Sequence, residues 1–294
     1  MTAIPMRAPL SRVWWRVWAG RNRYLFGAVC LFIVALMLAP IALSMMASVK
    51  STAEAAAVPP TYIPGSLSLD SYERLWTYQA GLPAYLFNST ATAFMTIAFA
   101  LALTIPAGYA LARFPIPGKE LLFVYLLFAL IIPYQALLTP IFLMFAQLKL
   151  TNTLVGLAIV HTAIQLPFSL YIMRNSFEAV PRELEEAAVT DGANSLQILI
   201  RICIPSVVPA IVTVALFAFV TSWNEFLGAL VLMSKESTFT LPLILASARD
   251  ETSLGGTDWG MLQAGITISM IPCIGIYLLL QKYYVSGLTS GAVK

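Results

Sequence analysis

Apolar runs of about 20 residues or more recur along this chain of 294 residues. Because about 20 residues of α-helix cross a bilayer core of about 30 Å, runs of this length predict membrane-spanning helices. The composition agrees, since 59% of the residues are apolar, 11% are charged and the mean hydropathy is +0.82. Soluble domains average about 45–50% apolar and about 25% charged residues. The chain is therefore predicted to be an all-α integral membrane protein.

Six runs have the length of membrane spans, and Pro133 and Pro140 predict kinks in the third. They cover about residues 24–48, 85–111, 120–145, 153–172, 207–233 and 259–280. A cleaved signal peptide is the alternative for the first run, with residues 53–55 as a possible cleavage site. The run is longer than the apolar part of a signal peptide, which favours an uncleaved helix. The predicted organisation is a cytoplasmic segment at 1–23, a transmembrane domain at 24–284 and a cytoplasmic tail at 285–294.

The distribution of Lys and Arg predicts the orientation of these spans. With a cytoplasmic N-terminus, the basic residues divide into twelve inside and five outside. The inside set is Arg7, Arg12, Arg16, Arg21, Arg23, Arg113, Lys119, Arg174, Arg182, Arg201, Lys282 and Lys294, and the outside set is Lys50, Arg74, Lys149, Lys235 and Arg249. This excess on the inside follows the positive-inside rule. Both termini are predicted to be cytoplasmic.

A polar stretch at residues 181–205 separates the fourth and fifth runs and lies on the predicted cytoplasmic side. Pro181 suits the first turn of a helix, and Gly192 follows Asp191 where a left-handed residue commonly ends one. Asn194 or Ser195 can cap a second helix, which Pro205 is predicted to close. The expected structure is a helix, a tight turn and a second helix.

The spacing of this stretch resembles the EAA loop of permease subunits of ABC importers. The matching residues are Glu186-Ala187-Ala188, then Gly192 after three residues, Ile202 after nine, and Ile204-Pro205 after one. Ile204 departs from the pattern, in which leucine is commoner. The resemblance implies a type I importer permease fold whose two short cytoplasmic helices are coupling helices that dock on an ATPase. The implied coupling residues are Glu185, Glu186, Ala187, Ala188, Asp191, Gly192 and Pro205. The alternative is an ordinary amphipathic hairpin packed on its own protein.

The sequence contains no phosphate-binding loop of the form G-x-x-x-x-G-K-[ST]. Its one Gly-Lys pair, Gly118-Lys119, has Arg113 at the first glycine position and Glu120 at the Ser/Thr position, so ATP hydrolysis by this chain is not predicted. The only histidine is His161, which is interpreted as a packing residue. The cysteines lack metal-ligand spacing and are interpreted as small buried apolar residues. The net charge of +3 is too small to indicate nucleic acid. No catalytic residue, metal or cofactor is assigned to this chain.

Three other stretches are candidates for function. The first is Trp223-Asn224-Glu225 in the fifth run, where an ionisable side chain makes a pathway or gate residue plausible. Its alternative is an anchor at the outer membrane interface. The second is the predicted external loop 234–258. Its resemblance to the corresponding loop of carbohydrate permeases implies contact with a binding protein through Arg249, Asp250, Glu251, Gly255 and Gly256, and the alternative is an uninvolved solvated loop. The third is the tail, in which Leu288, Thr289, Ser290 and Gly291 resemble an ATPase-contacting segment of carbohydrate permeases.

The resemblance covers nearly the whole chain and is closest to the maltose-permease-like group of carbohydrate importers. It implies import of an oligosaccharide or related sugar across a bacterial inner membrane. The implied partners are a second permease subunit, two ATPase subunits that hold ATP and Mg, an external substrate-binding protein and membrane lipid. The alternatives are a secondary transporter, which is expected to show broken helices and buried charges, and a membrane scaffold that transports nothing.

Overall fold

The computed structural model describes the backbone of residues 11–247 and 257–290, and the side chains of residues 24–247 and 257–281. These parts of the chain are helical and contain no β-strand. The helices are, in chain order, α1 (Ser11–Ser48), α2 (Thr52–Ala55), α3 (Asp70–Thr77), α4 (Leu82–Arg113), α5 (Lys119–Phe128), α6 (Leu138–Gln147), α7 (Leu154–Glu178), α8 (Arg182–Thr190), α9 (Ser195–Ile198), α10 (Ile204–Ser206), α11 (Val208–Asn224), α12 (Leu227–Leu232), α13 (Leu241–Ala246) and α14 (Trp259–Ser290).

Four described helices are long and apolar enough to cross a membrane. They are Tyr24–Ser48 in α1, Leu82–Arg113, Leu154–Glu178 and Trp259–Gln281 in α14. A fifth crossing arises if Ser195–Ser206 and Val208–Asn224, which meet at 78°, count as one bent span. The helical membrane class predicted from the sequence is confirmed.

The third predicted span is divided. Helices α5 and α6 are each ten residues long, and residues 129–133 and a 3-10 turn at Tyr134–Leu137 separate them. The break contains Pro133, whose fixed φ and missing N–H disfavour a continuous helix. Pro140 lies in the first turn of α6, where backbone N–H groups have no intrahelical partner, and it produces no kink.

Pro205 does not close the second helix of the hairpin, contrary to the sequence prediction. A π-helical turn at Leu199–Cys203 carries α9 directly into α10, and the chain bends only at Val207. Proline and π-helical turns are both common causes of bends in helices. The hairpin is therefore joined to α11 through a helical elbow instead of a loop.

Helix α4 lies at the centre of the packing and contacts both α7 and α11. Its approach to α7 is close, since a Cβ atom at Gly108 would lie 2.8 Å from Met173 Cβ. Helix α14 packs against α1, α3 and α11. Toward the hairpin, a cluster of buried apolar side chains joins α4, α7, α8 and α9 and includes Tyr109, Phe177, Ala188, Ile198 and Cys203. This cluster fixes the hairpin to the membrane helices.

Two further details differ from the sequence interpretation. The predicted external loop 234–258 contains α13, whose Leu241 and Ile244 are buried in the core because this stretch is apolar. The three cysteines were interpreted as buried apolar residues, but Cys30 is exposed on α1, whereas Cys203 is buried.

Candidate coupling surface and intramembrane polar cluster

The turn between α8 and α9 has the geometry that its sequence predicts. Gly192 has φ = +84°, a left-handed conformation that glycine adopts without strain. The Asn194 side chain accepts a hydrogen bond from Gln197 N, and the Gln197 side chain accepts one from Asn194 N, both at 2.9 Å. This capping box satisfies two backbone donors at the start of α9. The hairpin is thus specified by its own residues.

The EAA-like residues divide between two faces of α8. Glu186, Ala187, Asp191 and Gly192 are exposed, whereas Ala188 is buried in the cluster beneath the hairpin. Apolar side chains are also exposed on the hairpin and its elbow, namely Leu184, Val189, Leu196 and Ile200. The outer face therefore combines the carboxylates of Glu186 and Asp191 with small residues and apolar groups, which is a composition suited to contact with another protein.

Glu185 points toward its own chain. Its side chain is 14% exposed and forms a 2.5 Å ion pair with Arg113 Nε, the side chain of which is 8% exposed. The sequence implied a coupling role for Glu185 only through the resemblance to the EAA loop and did not indicate its partner. The partner is Arg113, which lies 72 positions away and was counted only as a basic residue of a cytoplasmic turn.

A cleft of about 370 Å³ opens beside this ion pair, between the end of α4 and the hairpin. Glu186 and Val189 line its outer part, and Arg113 and Tyr109 line its inner part. Since Glu186 is exposed at this cleft, its carboxylate can accept hydrogen bonds from a basic side chain of a docked protein.

A second polar cluster lies inside the membrane domain, around the break between α11 and α12. Glu225 Oε1 accepts hydrogen bonds from Tyr134 Oη and from Gly228 N, the latter at 2.8 Å. Glu225 Oε2 accepts from His161 Nε2 at 3.1 Å and from Ala229 N at 3.2 Å. The carboxylate thus caps α12 and binds side chains from α7 and from the break before α6.

The other ring nitrogen of His161 continues the cluster. His161 is fully buried, and its Nδ1 lies 2.8 Å from Ser222 Oγ, which in turn lies 3.3 Å from Thr96 Oγ1 of α4. A carboxylate only accepts hydrogen bonds, so Nε2 carries a hydrogen. His161 is therefore a bridging residue between helices. The repeat of His161, Gln165 and Ser169 four positions apart was a signal in the sequence that this helix has a polar face.

The three candidate pathway residues have different surroundings. Glu225 is buried, with 7% of its side chain exposed, so it is not the anchor at the outer interface that was the alternative. Trp223 is buried in the core and donates from Nε1 to Ser269 O at 3.1 Å. Asn224 is exposed, and its Nδ2 donates to Val220 O.

The remaining candidates cannot be placed. Arg249, Asp250, Glu251, Gly255 and Gly256 lie outside the described residues, as does Gly291. The backbone of Leu288, Thr289 and Ser290 continues α14, and their side chains are not described. Contacts of these residues with partner proteins stay predictions. Among the side chains that the structure describes, no three His, Cys, Asp or Glu residues gather where they could hold a metal ion.

The chain is similar to permease proteins of ABC transporters. The Probable ABC transporter permease protein YurM of Bacillus subtilis is 35% identical over 232 residues, which are 79% of this chain and 76% of that protein. The diacetylchitobiose uptake system permease protein DasC of Streptomyces coelicolor is 29% identical over 284 residues, 93% of this chain and 99% of that protein.

A solved structure extends the comparison to the fold. A chain of a bacterial ABC transporter involved in the import of the acidic polysaccharide alginate superposes with a TM-score of 0.76 and 26% identity, over 96% of this chain and 100% of that chain. The family model for the binding-protein-dependent transport system inner membrane component matches residues 104–290, from the second half of α4 to the end of α14. The chain belongs to this family, the membrane-embedded permeases of ABC importers.

Proposed function

We propose that this chain is one of two permease subunits of an ATP-driven importer of oligosaccharides or related sugars in a bacterial inner membrane. The proposal of a sugar is supported by the diacetylchitobiose permease DasC and by the alginate importer, to which the chain is similar over nearly its whole length. An external binding protein delivers the sugar. Two ATPase subunits bind ATP and Mg and supply the catalytic activity that this chain lacks.

The observation that carries the coupling role is the division of the hairpin into two faces. Its inner face is attached to the membrane helices through Ala188, Ile198 and the Glu185–Arg113 pair, whereas its outer face leaves Glu186 and Ala187 exposed. A docked ATPase therefore contacts the outer face of a hairpin that is attached to α4, so a displacement of the hairpin also displaces α4. Closure of the ATPases moves the membrane helices between two packed arrangements.

The test is sugar uptake into vesicles that contain the purified importer, with and without ATP. We expect uptake to require ATP and to be abolished by Glu186→Lys, since a cation then faces the basic partner that Glu186 is proposed to contact. Glu73→Lys is the matched control, because Glu73 is an exposed acidic residue of the short helix α3. It has the same effect on net charge and should leave uptake unchanged.

Two outcomes would contradict the proposal. Full uptake by Glu186→Lys would remove the docking role, and uptake driven by an ion gradient without ATP would favour a secondary transporter. A secondary transporter is expected to show broken helices and buried charges, and the structure contains a broken third span and the buried Glu225. Family membership now separates the two classes.

Within the transport pathway, we propose different roles for Asn224 and Glu225. Both carboxylate oxygens of Glu225 are engaged by protein donors, so its role is to hold the break between α11 and α12 at a gate. Asn224 precedes this break with an exposed amide, which suits a contact with the hydroxyl groups of a sugar. Asn224→Ala should therefore raise the KM for uptake without a loss of thermal stability, and an unchanged KM would contradict this role.

A further inference from the structure

Arg113 is the last residue of α4 and forms two contacts with the segment that leads to the coupling hairpin. Its Nε donates to Glu185 Oε1 of α8 at 2.5 Å. Its Nη2 donates at 2.7 Å to Val180 O, which lies in the link between α7 and α8. The guanidinium is nearly buried. One side chain thus connects three segments: the end of α4, the end of α7 and the first coupling helix.

Tyr109, one turn earlier in α4, binds the other oxygen of the same carboxylate. Tyr109 Oη donates to Glu185 Oε2 at 3.3 Å. Both oxygens of Glu185 are therefore engaged by α4, and charge-assisted contacts of this kind are about twice as strong as neutral hydrogen bonds. Both oxygens of Glu185 thus bind groups of its own chain, which separates its role from that of the exposed Glu186.

The end of α4 is itself held firmly. Lys119 Nζ donates to Leu111 O at 2.9 Å and to Phe114 O at 3.1 Å, which satisfies carbonyl groups at the end of the helix. Farther into the membrane, α4 packs against α7 and α11, and its Thr96 approaches the Ser222–His161–Glu225 cluster. A displacement of α8 that reaches α4 therefore also reaches the helices around the proposed gate.

We infer that Arg113, with Tyr109, is a positioning residue through which movement of the coupling helix is transmitted to α4, and that Glu185 is its partner on α8. This inference rests on the proposed docking of the ATPase on the outer face of the hairpin. Removing the ion pair leaves that outer face intact, so the ATPase still docks and hydrolyses ATP. Without the ion pair, the movement of α8 is not transmitted fully to α4, and fewer sugar molecules are imported for each ATP hydrolysed.

The experiment compares Arg113→Gln, Glu185→Gln and the double variant in the complete importer reconstituted in vesicles. The measured quantities are the yield of the complex, ATP hydrolysis and the number of sugar molecules imported for each ATP. We expect each single variant to assemble and hydrolyse ATP but to lower the import ratio at least tenfold. The double variant should lower it by much less than the product of the two single decreases, because the ion pair is the contact that the two residues share.

Glu120→Gln is the matched control. Glu120 pairs with Arg174 at 2.7 Å and joins α5 to α7 near the same membrane face, but it does not contact the hairpin. Its loss removes an ion pair from the same region, and the import ratio should stay at the parental value. Tyr109→Phe removes only the weaker contact and serves if Arg113→Gln does not assemble, with an expected intermediate decrease.

The results separate this inference from the proposed function. Two results would overturn the inferred role of the Arg113–Glu185 pair and leave the docking role intact. They are an unchanged import ratio in Glu185→Gln, and a double variant whose decrease is the product of the two single decreases. Full ATP-driven uptake by Glu186→Lys would instead overturn the docking role. A similar decrease in Glu120→Gln would show that any lost ion pair in this region uncouples the importer, and it would also overturn the specific role of Arg113.

Discussion

At the scale of single residues, neighbours on one short helix have different roles because their surroundings differ. Glu185 and Glu186 have the same side chain, yet one carboxylate is paired with Arg113 and the other is exposed. The same contrast separates Asn224, which is exposed, from Glu225, whose carboxylate binds four donors. Solvent exposure therefore decides which polar residues are available to partners and cargo.

Gly192 tests whether the shape of the hairpin turn matters for coupling. A valine at φ = +84° is strained by about 1–2 kcal/mol, although no atom lies within 4 Å of the position of its Cβ. We expect Gly192→Val to lower ATP-driven uptake at least tenfold and Gly192→Asn, which tolerates this conformation, to remain near the parental rate. The measurement is uptake into vesicles.

The control for Gly192 is Gly118→Val. Gly118 has φ = +76° and equally open surroundings, but it lies before α5 and outside the hairpin. It should show a similar loss of stability with little loss of uptake. Equal loss of uptake in both valine variants would attribute the effect to general destabilisation.

Glu225 tests the polar cluster. Glu225→Ala leaves Tyr134 Oη, His161 Nε2 and two backbone N–H groups without their acceptor, so we expect a loss of at least about 3 kcal/mol in stability. Tyr134→Phe removes one donor and should cost about 1 kcal/mol, whereas Asn224→Ala at an exposed site should cost at most about 0.5 kcal/mol. Thermal denaturation in detergent measures the loss of stability in each variant, and a different order of the three losses would contradict the assigned contacts.

At the scale of elements, breaks and close approaches determine how the helices fit. The break at Pro133 places Tyr134 beside Glu225, so the interruption of the third span supplies a hydrogen-bond donor to the polar cluster around Glu225. The bend at Val207, which follows the π-helical turn at Leu199–Cys203, turns the hairpin into α11 through 78°. Helices α4 and α7 approach closely at Gly108. These irregular points connect the proposed gate with the coupling hairpin.

Gly108 tests the contact between α4 and α7. A Cβ at this position would lie 2.8 Å from Met173 Cβ and 3.1 Å from Arg174 N, so a larger side chain has to push the helices apart. Overpacking of this kind costs about 1–3 kcal/mol, and we expect that loss for Gly108→Leu. Gly275→Leu in α14, where no atom lies within 4 Å, is the control and should be tolerated. Equal thermal stability of the two variants would contradict close packing at Gly108.

At the scale of the whole molecule, the proposed transport requires the hairpin and the segment between α1 and α4 to lie on opposite sides of the membrane. The excess of Lys and Arg on the hairpin side supports a cytoplasmic hairpin. In this arrangement the ATPases reach α8, and the binding protein approaches the opposite face.

Cysteine labelling tests this orientation in a variant without native cysteines. Thr190→Cys on the hairpin and Ser66→Cys between α2 and α3 are exposed positions. A membrane-impermeant maleimide applied outside the inner membrane should label Ser66→Cys in intact cells and Thr190→Cys only after the membrane is opened. The reverse order would place the hairpin outside and remove the proposed contact with an ATPase.

The sequence by itself determined the features that depend on local chemistry and length. Long apolar runs specify membrane helices, Gly192 specifies a left-handed turn, and Asn194 with Gln197 specifies a helix cap, because each involves residues close together in the chain. The EAA-like spacing likewise identified the hairpin before its structure was known. The same local reasoning failed at Pro205, where the π-helical turn continues the helix.

Only the tertiary structure decided which polar residues meet. Arg113 and Glu185 are 72 positions apart, and His161 and Glu225 are 64 positions apart. No local pattern relates such residues, since their contact depends on how α4, α7 and α11 pack. Burial makes the loss of one partner costly, because it leaves a charge that has been removed from water without a partner. Packing thus determines that a basic residue of a turn binds the hairpin and that an isolated histidine binds Glu225.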